Sequence, residues 1–315
     1  MALADTAGMH TLIARGALSL ACAGFLLLVL GACSAPQLAY NSAPLVLRYK
    51  LYNAFDPNDE QDVMMSAALR RLHDWHRHNE LPAYAEMLDR LAVRVEAGLD
   101  AADIAQTREL AQARYERLAA QAVDEAIPIL RTLDARNFTA LRRYVKERNE
   151  DYADEFLDGN EAERLEAMVE SLTDHVERWV GDLNATQTRL LTEFAARHPH
   201  FAELRLENRR HLQARTLAAV DALVRGEAQA EAALREVIVH WERNSLPQYR
   251  EALRAWEADF RATMLAIERS LTPAQRRTTV ANLREYSGQL LALTENRSAR
   301  PSPAAQAGLT RPPVR

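Results

Sequence analysis

Leu99-Asp100-Ala101-Ala102-Asp103 is a short phrase that the chain repeats wherever a helix has to start. It returns as Leu133-Asp134-Ala135-Arg136-Asn137, Leu183-Asn184-Ala185-Thr186-Gln187 and Leu271-Thr272-Pro273-Ala274-Gln275. In each version an oxygen-bearing side chain (Asp100, Asp134, Asn184, Thr272) can accept from the free amides of a first helical turn. A polar residue three positions on can answer back to the cap's own N–H, which approximates a capping box. The leucine ahead of the cap is placed to staple onto that turn, Leu99 onto Ile104 and Leu133 onto Phe138. Between these starts the apolar residues recur at three- and four-residue spacing, as in Met65, Ala68, Leu69, Leu72, Trp75 and His76. No stretch keeps the strict alternation of a strand, so the expected fold is all-α, an extended multi-helix bundle.

Composition agrees with that reading. Of 315 residues, 48% are apolar and 26% charged, while Gly (10) and Pro (12) are sparse. Ala, Leu, Arg and Glu dominate, residues that lose little freedom in a helix. A net charge of −5 of mixed sign gives no electrostatic case for nucleic acid.

Working outward, Asp56-Pro57 is expected to open the first long helix, with Asp56 as N-cap and Asp59 and Glu60 in its first turn. Pro82, Pro199 and Pro247 mark further breaks. Arg142–Leu157 reads as an amphipathic helix, and 189–225 as a long pair interrupted at His198-Pro199. An internal repeat organises the rest. Ala67-Ala68-Leu69-Arg70 recurs as Ala232-Ala233-Leu234-Arg235. At the same offset (246 − 81 = 165), Asn79, Leu81, Pro82, Tyr84, Glu86 and Leu88 recur as Asn244, Leu246, Pro247, Tyr249, Glu251 and Leu253. The following caps, Leu99-Asp100 and Leu271-Thr272, lie 172 apart (271 − 99), so the second copy's middle helix should be 7 residues longer (172 − 165), about two turns. The body, 57–296, therefore reads as two related helix–Pro–helix–cap–helix units near 57–125 and 227–296, flanking a central helical segment. From 297 to 315 the chain turns basic and proline-rich with no acidic residue, the composition of a disordered tail. That tail is read as solubilising, and it also has the charge to touch anionic headgroups.

The N-terminus carries a different kind of signal. Arg15 precedes an apolar run from Ala17 to Leu30, and Gly31 and Ala32 then lead to Cys33. A basic start, a short apolar stretch and a small-residue cut site are the anatomy of a secretory signal, over residues 1–32. Met9 as the start would make it more compact. With its flanks, Ala17–Leu30 is also compatible with an uncleaved tilted anchor. Leu30-Gly31-Ala32-Cys33 resembles the bacterial lipobox, which implies cleavage between Ala32 and Cys33 and acylation of Cys33. The membrane partner is then the diacylglycerol and N-acyl lipid (a palmitate-type chain) on Cys33; one chain binds marginally, several stably. Ser34 rather than Asp after the cysteine favours, in that sorting pattern, the outer membrane over the inner. Residues 33–56 are expected to be a lipidated tether with a helical turn packed on the body. Since Cys22 falls in the signal and Cys33 carries lipid, this reading excludes a disulfide scaffold and a cysteine-ligated metal.

Four features together resemble an uncharacterised group of Gram-negative outer-membrane lipoproteins known only as a domain of unknown function. They are the lipobox, Leu38-Ala39-Tyr40-Asn41, Trp75-His76 leading to Leu81-Pro82-Ala83-Tyr84, and Glu147-Arg148-Asn149-Glu150-Asp151-Tyr152. The resemblance extends to about Leu293, with Pro44 departing from the expected smooth apolar stretch. It implies a helical fold and a periplasm-facing address on the outer membrane, but no activity, substrate or catalytic residue.

Two constellations invite chemistry. His73 and His76 share a helix face while His78 points elsewhere, so at most those two can meet one metal, and further ligands would have to come from a distant helix. His76 corresponds to Trp241 in the repeat, an apolar-face position, which favours a half-buried histidine at a helix seam. Glu147, Glu150, Asp151, Asp154 and Glu155 form an acidic run, but interleaved Arg143, Lys146 and Arg148 favour a salt-bridged solvated face. There is no phosphate loop, nucleophile elbow or reactive cysteine. No cofactor is expected. The reading is a non-enzymatic envelope scaffold or adaptor that binds a protein partner through grooves between amphipathic helices. The alternative is an envelope hydrolase or metal-dependent enzyme using the His73/His76 region.

Overall fold

A computed structural model describes residues 35–295 of the chain. The signal reading of residues 1–32, the cleavage site Ala32-Cys33, the acylation of Cys33 and the basic tail 297–315 lie outside the described residues. Within them the chain forms eleven helices and a four-residue helical turn, with no strand. These are α1 (Ala35–Phe55), α2 (Asp59–Asn79), α3 (Leu81–Ala97), α4 (Ala101–Leu130), α5 (Ala135–Phe156), α6 (Glu161–Val180), α7 (Ala185–Ala196), α8 (Phe201–Val224), α9 (Ala230–Val239), the short α10 (Trp241–Asn244), α11 (Pro247–Arg269) and α12 (Pro273–Glu295).

All four expected caps start helices. Asp100, Asp134, Asn184 and Thr272 each accept from the amide three residues on, and Asp103, Asn137, Gln187 and Gln275 each accept from the cap's own N–H in return. Two expectations at the N-terminal side need correction. Asp56 is not the cap of α2. It sits at φ 48°, and Asn58 caps the helix instead, in a reciprocal box with Gln61. Asn58 wins because a side-chain amide stands three residues beyond it. The tether expected over 33–56 is also wrong in its described part, because α1 runs without interruption through Pro44. Its inner face carries Tyr40, Ala43, Ala54 and Phe55, all buried, and that burial sustains the helix past the proline. The helix α6 lies in the expected central helical segment, but its start, capped by a full box of Asn160 and Glu163, was not among the expected caps.

The two repeat units are both present and are not the same inside. Asn79 donates to the Trp75 carbonyl at 2.8 Å, and its counterpart Asn244 donates to the His240 carbonyl at 3.0 Å, the same bond one repeat apart. In the first unit, though, Glu80 keeps helical geometry and the backbone bonds run through it (Glu80 N–H to His76, Tyr84 N–H to Glu80, each 2.9 Å), so α2 and α3 are almost one helix. In the second, Ser245 and Leu246 are extended, and the freed Leu246 N–H is taken by Asn208 of α8 at 2.8 Å. The proline breaks the chain only where a side chain from elsewhere receives the released amide. The helix α11 has 23 residues against 17 for α3, six more rather than seven, because α11 begins one position later in its unit.

The units pack together by exchange. The helix α12 lies along α3 of the first unit and against α6, while α4 packs on its own α2 and also on α9 of the second. The main core gathers Met65, Leu69, Val123, Phe138, Val220 and Leu234 from α2, α4, α5, α8 and α9. Leu69 and Leu234, equivalent in the repeat, both point into it. A second core joins Leu88, Ala92 and Val95 of α3 to Val280 and Leu283 of α12. An aromatic stack holds α7, α8 and α11 together, with Phe201 on Trp256 at 5.4 Å, Trp256 on Phe260 at 5.1 Å and Phe194 edge-on to Trp256 at 5.4 Å.

Candidate functional site

The histidine region is a buried seam between α1, α2, α3 and the end of α12. Three-residue spacing puts His73 and His76 on the face of α2 that meets α1, and there both bond to one residue, Tyr40. The Tyr40 hydroxyl lies 3.0 Å from His76 Nδ1, and His73 Nε2 lies 3.0 Å from the Tyr40 carbonyl. A carbonyl oxygen only accepts, so His73 carries a proton on Nε2. Burial raises the Tyr40 hydroxyl far above its usual pKa, which leaves it a donor to His76. Burial, then His73 and Arg77, push His76 down to about 4, and burial first of all lowers His73 as well. Both imidazoles are neutral at pH 7.

Arg77, which belongs to none of the motifs quoted above, ties the seam together. Its guanidinium donates to the Leu293 carbonyl and to Asn41 Oδ1, each at 2.7 Å, and lies 5.0 Å from the Tyr40 ring centre. Tyr84 and Leu81 close the other side with Leu293. Two of the four features quoted above therefore meet in one place: Tyr40 and Asn41 from Leu38–Asn41, and His76, Leu81 and Tyr84 from the stretch that runs from Trp75 to Tyr84. The sequence offered no pairing of Tyr40 with His76 or of Asn41 with Arg77, because each pair is 36 residues apart. His78 points away, is exposed, and donates to the Asp74 carbonyl of its own helix at 2.7 Å. No group of three His, Cys, Asp or Glu side chains able to hold a metal ion occurs among the described residues.

One turn on, Glu80 is fully buried, with Arg117 at 3.1 Å and Arg114 at 3.7 Å. A buried carboxylate is tolerable only beside such cations. It replaces the Ser245 of the second unit and fixes the α2–α3 joint to α4.

The acidic run of α5 is paired along the helix, Arg143 with Glu147 at 3.9 Å, Lys146 with Glu150 at 3.5 Å and Arg148 with Asp151 at 2.6 Å. Asn149 turns inward instead. Its amide exchanges two hydrogen bonds with Gln213 of α8, at 2.8 and 3.1 Å. Tyr152 of the same motif is buried, with Arg209 5.8 Å from its ring centre. Between α5 and α8 lies an open groove of ≈ 400 Å³ lined by the Asn149–Gln213 pair, by apolar Val145, Ala214 and Leu217, and by Arg142, Lys146 and Arg210, whose side chains are exposed. Glu150 also lines it and is paired with Lys146. Gln213 carried no sequence signal, because what selects it is Asn149, 64 residues away.

Among the described residues no helix is long and apolar enough to cross a membrane. No curated protein and no solved structure matches the chain. A family model described as a family of unknown function, DUF6279, matches residues 53–250. The matched stretch is narrower than the resemblance reaching to Leu293. It contains His73, His76, Tyr84, Asn149 and Gln213, and leaves out Tyr40, Asn41 and α12. A match over more than half of the 315 residues places the assignment beyond a shared motif: the chain belongs to the family of unknown function DUF6279.

Proposed function

We propose that this protein is a lipoprotein of the cell envelope, held by acylated Cys33 at the periplasmic face of the outer membrane, and that its helical body is a non-enzymatic scaffold for a protein partner. The observation that carries the second half is the α5–α8 groove: apolar Val145, Ala214 and Leu217 beside the Asn149–Gln213 pair, with the cations Arg142, Lys146 and Arg210 around them. An amphipathic helix with acidic flanks is the ligand such a groove fits, since its apolar stripe would bury Val145, Ala214 and Leu217 while its acids meet those cations. The histidines support the same reading, because His73 and His76 each hold one ring nitrogen in a bond to Tyr40 inside the seam.

Two measurements test the two halves separately. Cys33→Ala should abolish acyl labelling and leave an uncleaved precursor. Normal maturation and outer-membrane fractionation of that variant would overturn the anchor. For the groove, a photo-crosslinking residue at Ala214 should capture one envelope protein that the same probe at Val93, exposed on α3, does not, and Lys146→Glu/Arg210→Glu should abolish the capture. Equal products from both positions would refute the groove as the docking site.

A further inference from the structure

The helix α1 is apolar on both sides, and only one side has a partner. Its inner face is buried on the body through Tyr40, Ala43, Ala54 and Phe55. On the other side Leu38 is 71% exposed, Val46 49%, Tyr49 59% and Leu45 36%. At about 100° per residue, Leu38, Leu45 and Tyr49 fall within an arc of about 40°, and Val46 widens it to about 100°, with Ser42 and Asn53 as the polar residues inside it. These four account for most of the large apolar side chains exposed among the described residues, the others being Val63, Val93 and Leu291. A surface helix ordinarily faces water with polar residues, and one that is apolar all round is covered.

We infer that the outer face of α1 lies in the headgroup boundary of the phospholipid membrane, with Leu38, Leu45, Val46 and Tyr49 inserted and the helix parallel to the surface. The inference rests on the acylation of Cys33 proposed above, and chain continuity then identifies the cover. Cys33 is only two residues ahead of Ala35, where α1 begins, about 7 Å at full extension, so an acyl-anchored Cys33 keeps the start of α1 at the bilayer. Charge agrees. Across its 21 residues α1 has no Asp or Glu, Lys50 stands exposed on one flank of the stripe, and Arg48 on the other is held by Asp62. A tyrosine at the stripe suits an interface, where the ring is buried and the hydroxyl stays wet. With one uncompensated cation the attachment is apolar rather than electrostatic. It therefore persists on zwitterionic lipid and in high salt, unlike binding by a basic patch.

The test uses the full mature lipidated protein in vesicles of phosphatidylethanolamine and phosphatidylglycerol. Nitroxide labels go singly onto Leu45→Cys, Tyr49→Cys and, as an aqueous control, Val93→Cys. The expected result is at least a fivefold higher ratio of oxygen to nickel-chelate accessibility at positions 45 and 49 than at 93, unchanged between 0.05 and 1 M salt. An aqueous ratio at 45 and 49 would overturn the inference. So would exclusion of both oxygen and nickel, which means a protein cover, or spin–spin broadening, which means a second copy. Acyl labelling of the same samples separates the two proposals: acylated protein with aqueous labels sinks the docking of α1 alone, whereas absent acylation sinks the anchor, and unacylated protein whose labels stay aqueous on added vesicles sinks both.

Discussion

His76 shows what one side chain does when a helix face is more polar than its surroundings. Its imidazole is buried among Tyr40, His73, Arg77 and Tyr84, and charging it there would set a cation beside Arg77 with little water to screen it. The folded state therefore holds His76 near pKa 4, whereas the unfolded chain titrates near 6.5. Between those values the unfolded state binds more protons, so this contribution to stability is complete above pH 6.5 and is lost as pH falls towards 4. At pH 4.5 the loss from His76 alone is about 2–3 kcal/mol relative to pH 7. His73 is shifted in the same direction and adds to it. Urea unfolding at the two pH values should show a loss at least that large, and His76→Gln, which cannot charge, should flatten the difference while lowering stability at pH 7. A variant that keeps the wild-type slope would put the pH dependence elsewhere. Sequence spacing showed that His73 and His76 share a face and His78 does not. It could not show Tyr40, because over residues 33–56 only a tether and one packed helical turn were expected, not the full helix α1.

At the scale of elements, the capping boxes do more than start helices. The N-termini of α2 and α5 meet through their third residues. Gln61 and Asn137 exchange side-chain amide bonds, and each also donates to backbone just ahead of the other's cap, Gln61 to the Thr132 carbonyl at 2.8 Å and Asn137 to that of Phe55 at 2.8 Å. The same device joins α7 to α12, with Gln187 and Gln275 bonded at 2.9 and 3.1 Å, Gln275 donating to the Asp182 carbonyl at 2.8 Å and Gln187 to that of Ser270 at 3.3 Å. Each amide oxygen receives its own cap's N–H and each amide nitrogen reaches the neighbouring helix start, so both are buried without an unmet group. Gln187→Ala strands several of these groups and should cost about 2–4 kcal/mol by chemical denaturation. The double mutant Gln187→Ala/Gln275→Ala should be less damaging than the sum of the singles, with a coupling of about 1–3 kcal/mol. Strict additivity would show that the pair is not a unit. The boxes themselves were legible, since cap and answering residue are three apart. Which box faces which was not.

For the whole molecule, the chain order and the packing order disagree, and that disagreement holds the two units together. By sequence α12 is the third helix of the second unit, yet its Leu283 and Val280 pack on Leu88, Ala92 and Val95 of the first, and its Ser287 hydroxyl donates to the Ala85 carbonyl at 3.1 Å. Leu283→Ala should cost about 3 kcal/mol. Amide hydrogen exchange should then quicken in α3 more than in α11, the helix that precedes α12 in its own unit. Faster exchange confined to α11 would mean that the units fold as the repeat is written.

The amino-acid sequence alone determined the helical class, where most helices begin, the repeat with its longer second middle helix, and the paired surface of α5. All of these rest on residues within a few positions of one another, where caps and periodicity act through local backbone geometry. Tertiary structure decided what depends on distance along the chain. It made α1 a packed helix despite Pro44, joined α2 and α3 through a buried Glu80, and closed Tyr40, His76 and Arg77 into one seam. It also opened the groove between α5 and α8. The reason is the same in each case: a buried polar group is tolerated only where another element brings its partner, and that partner lies tens of residues away.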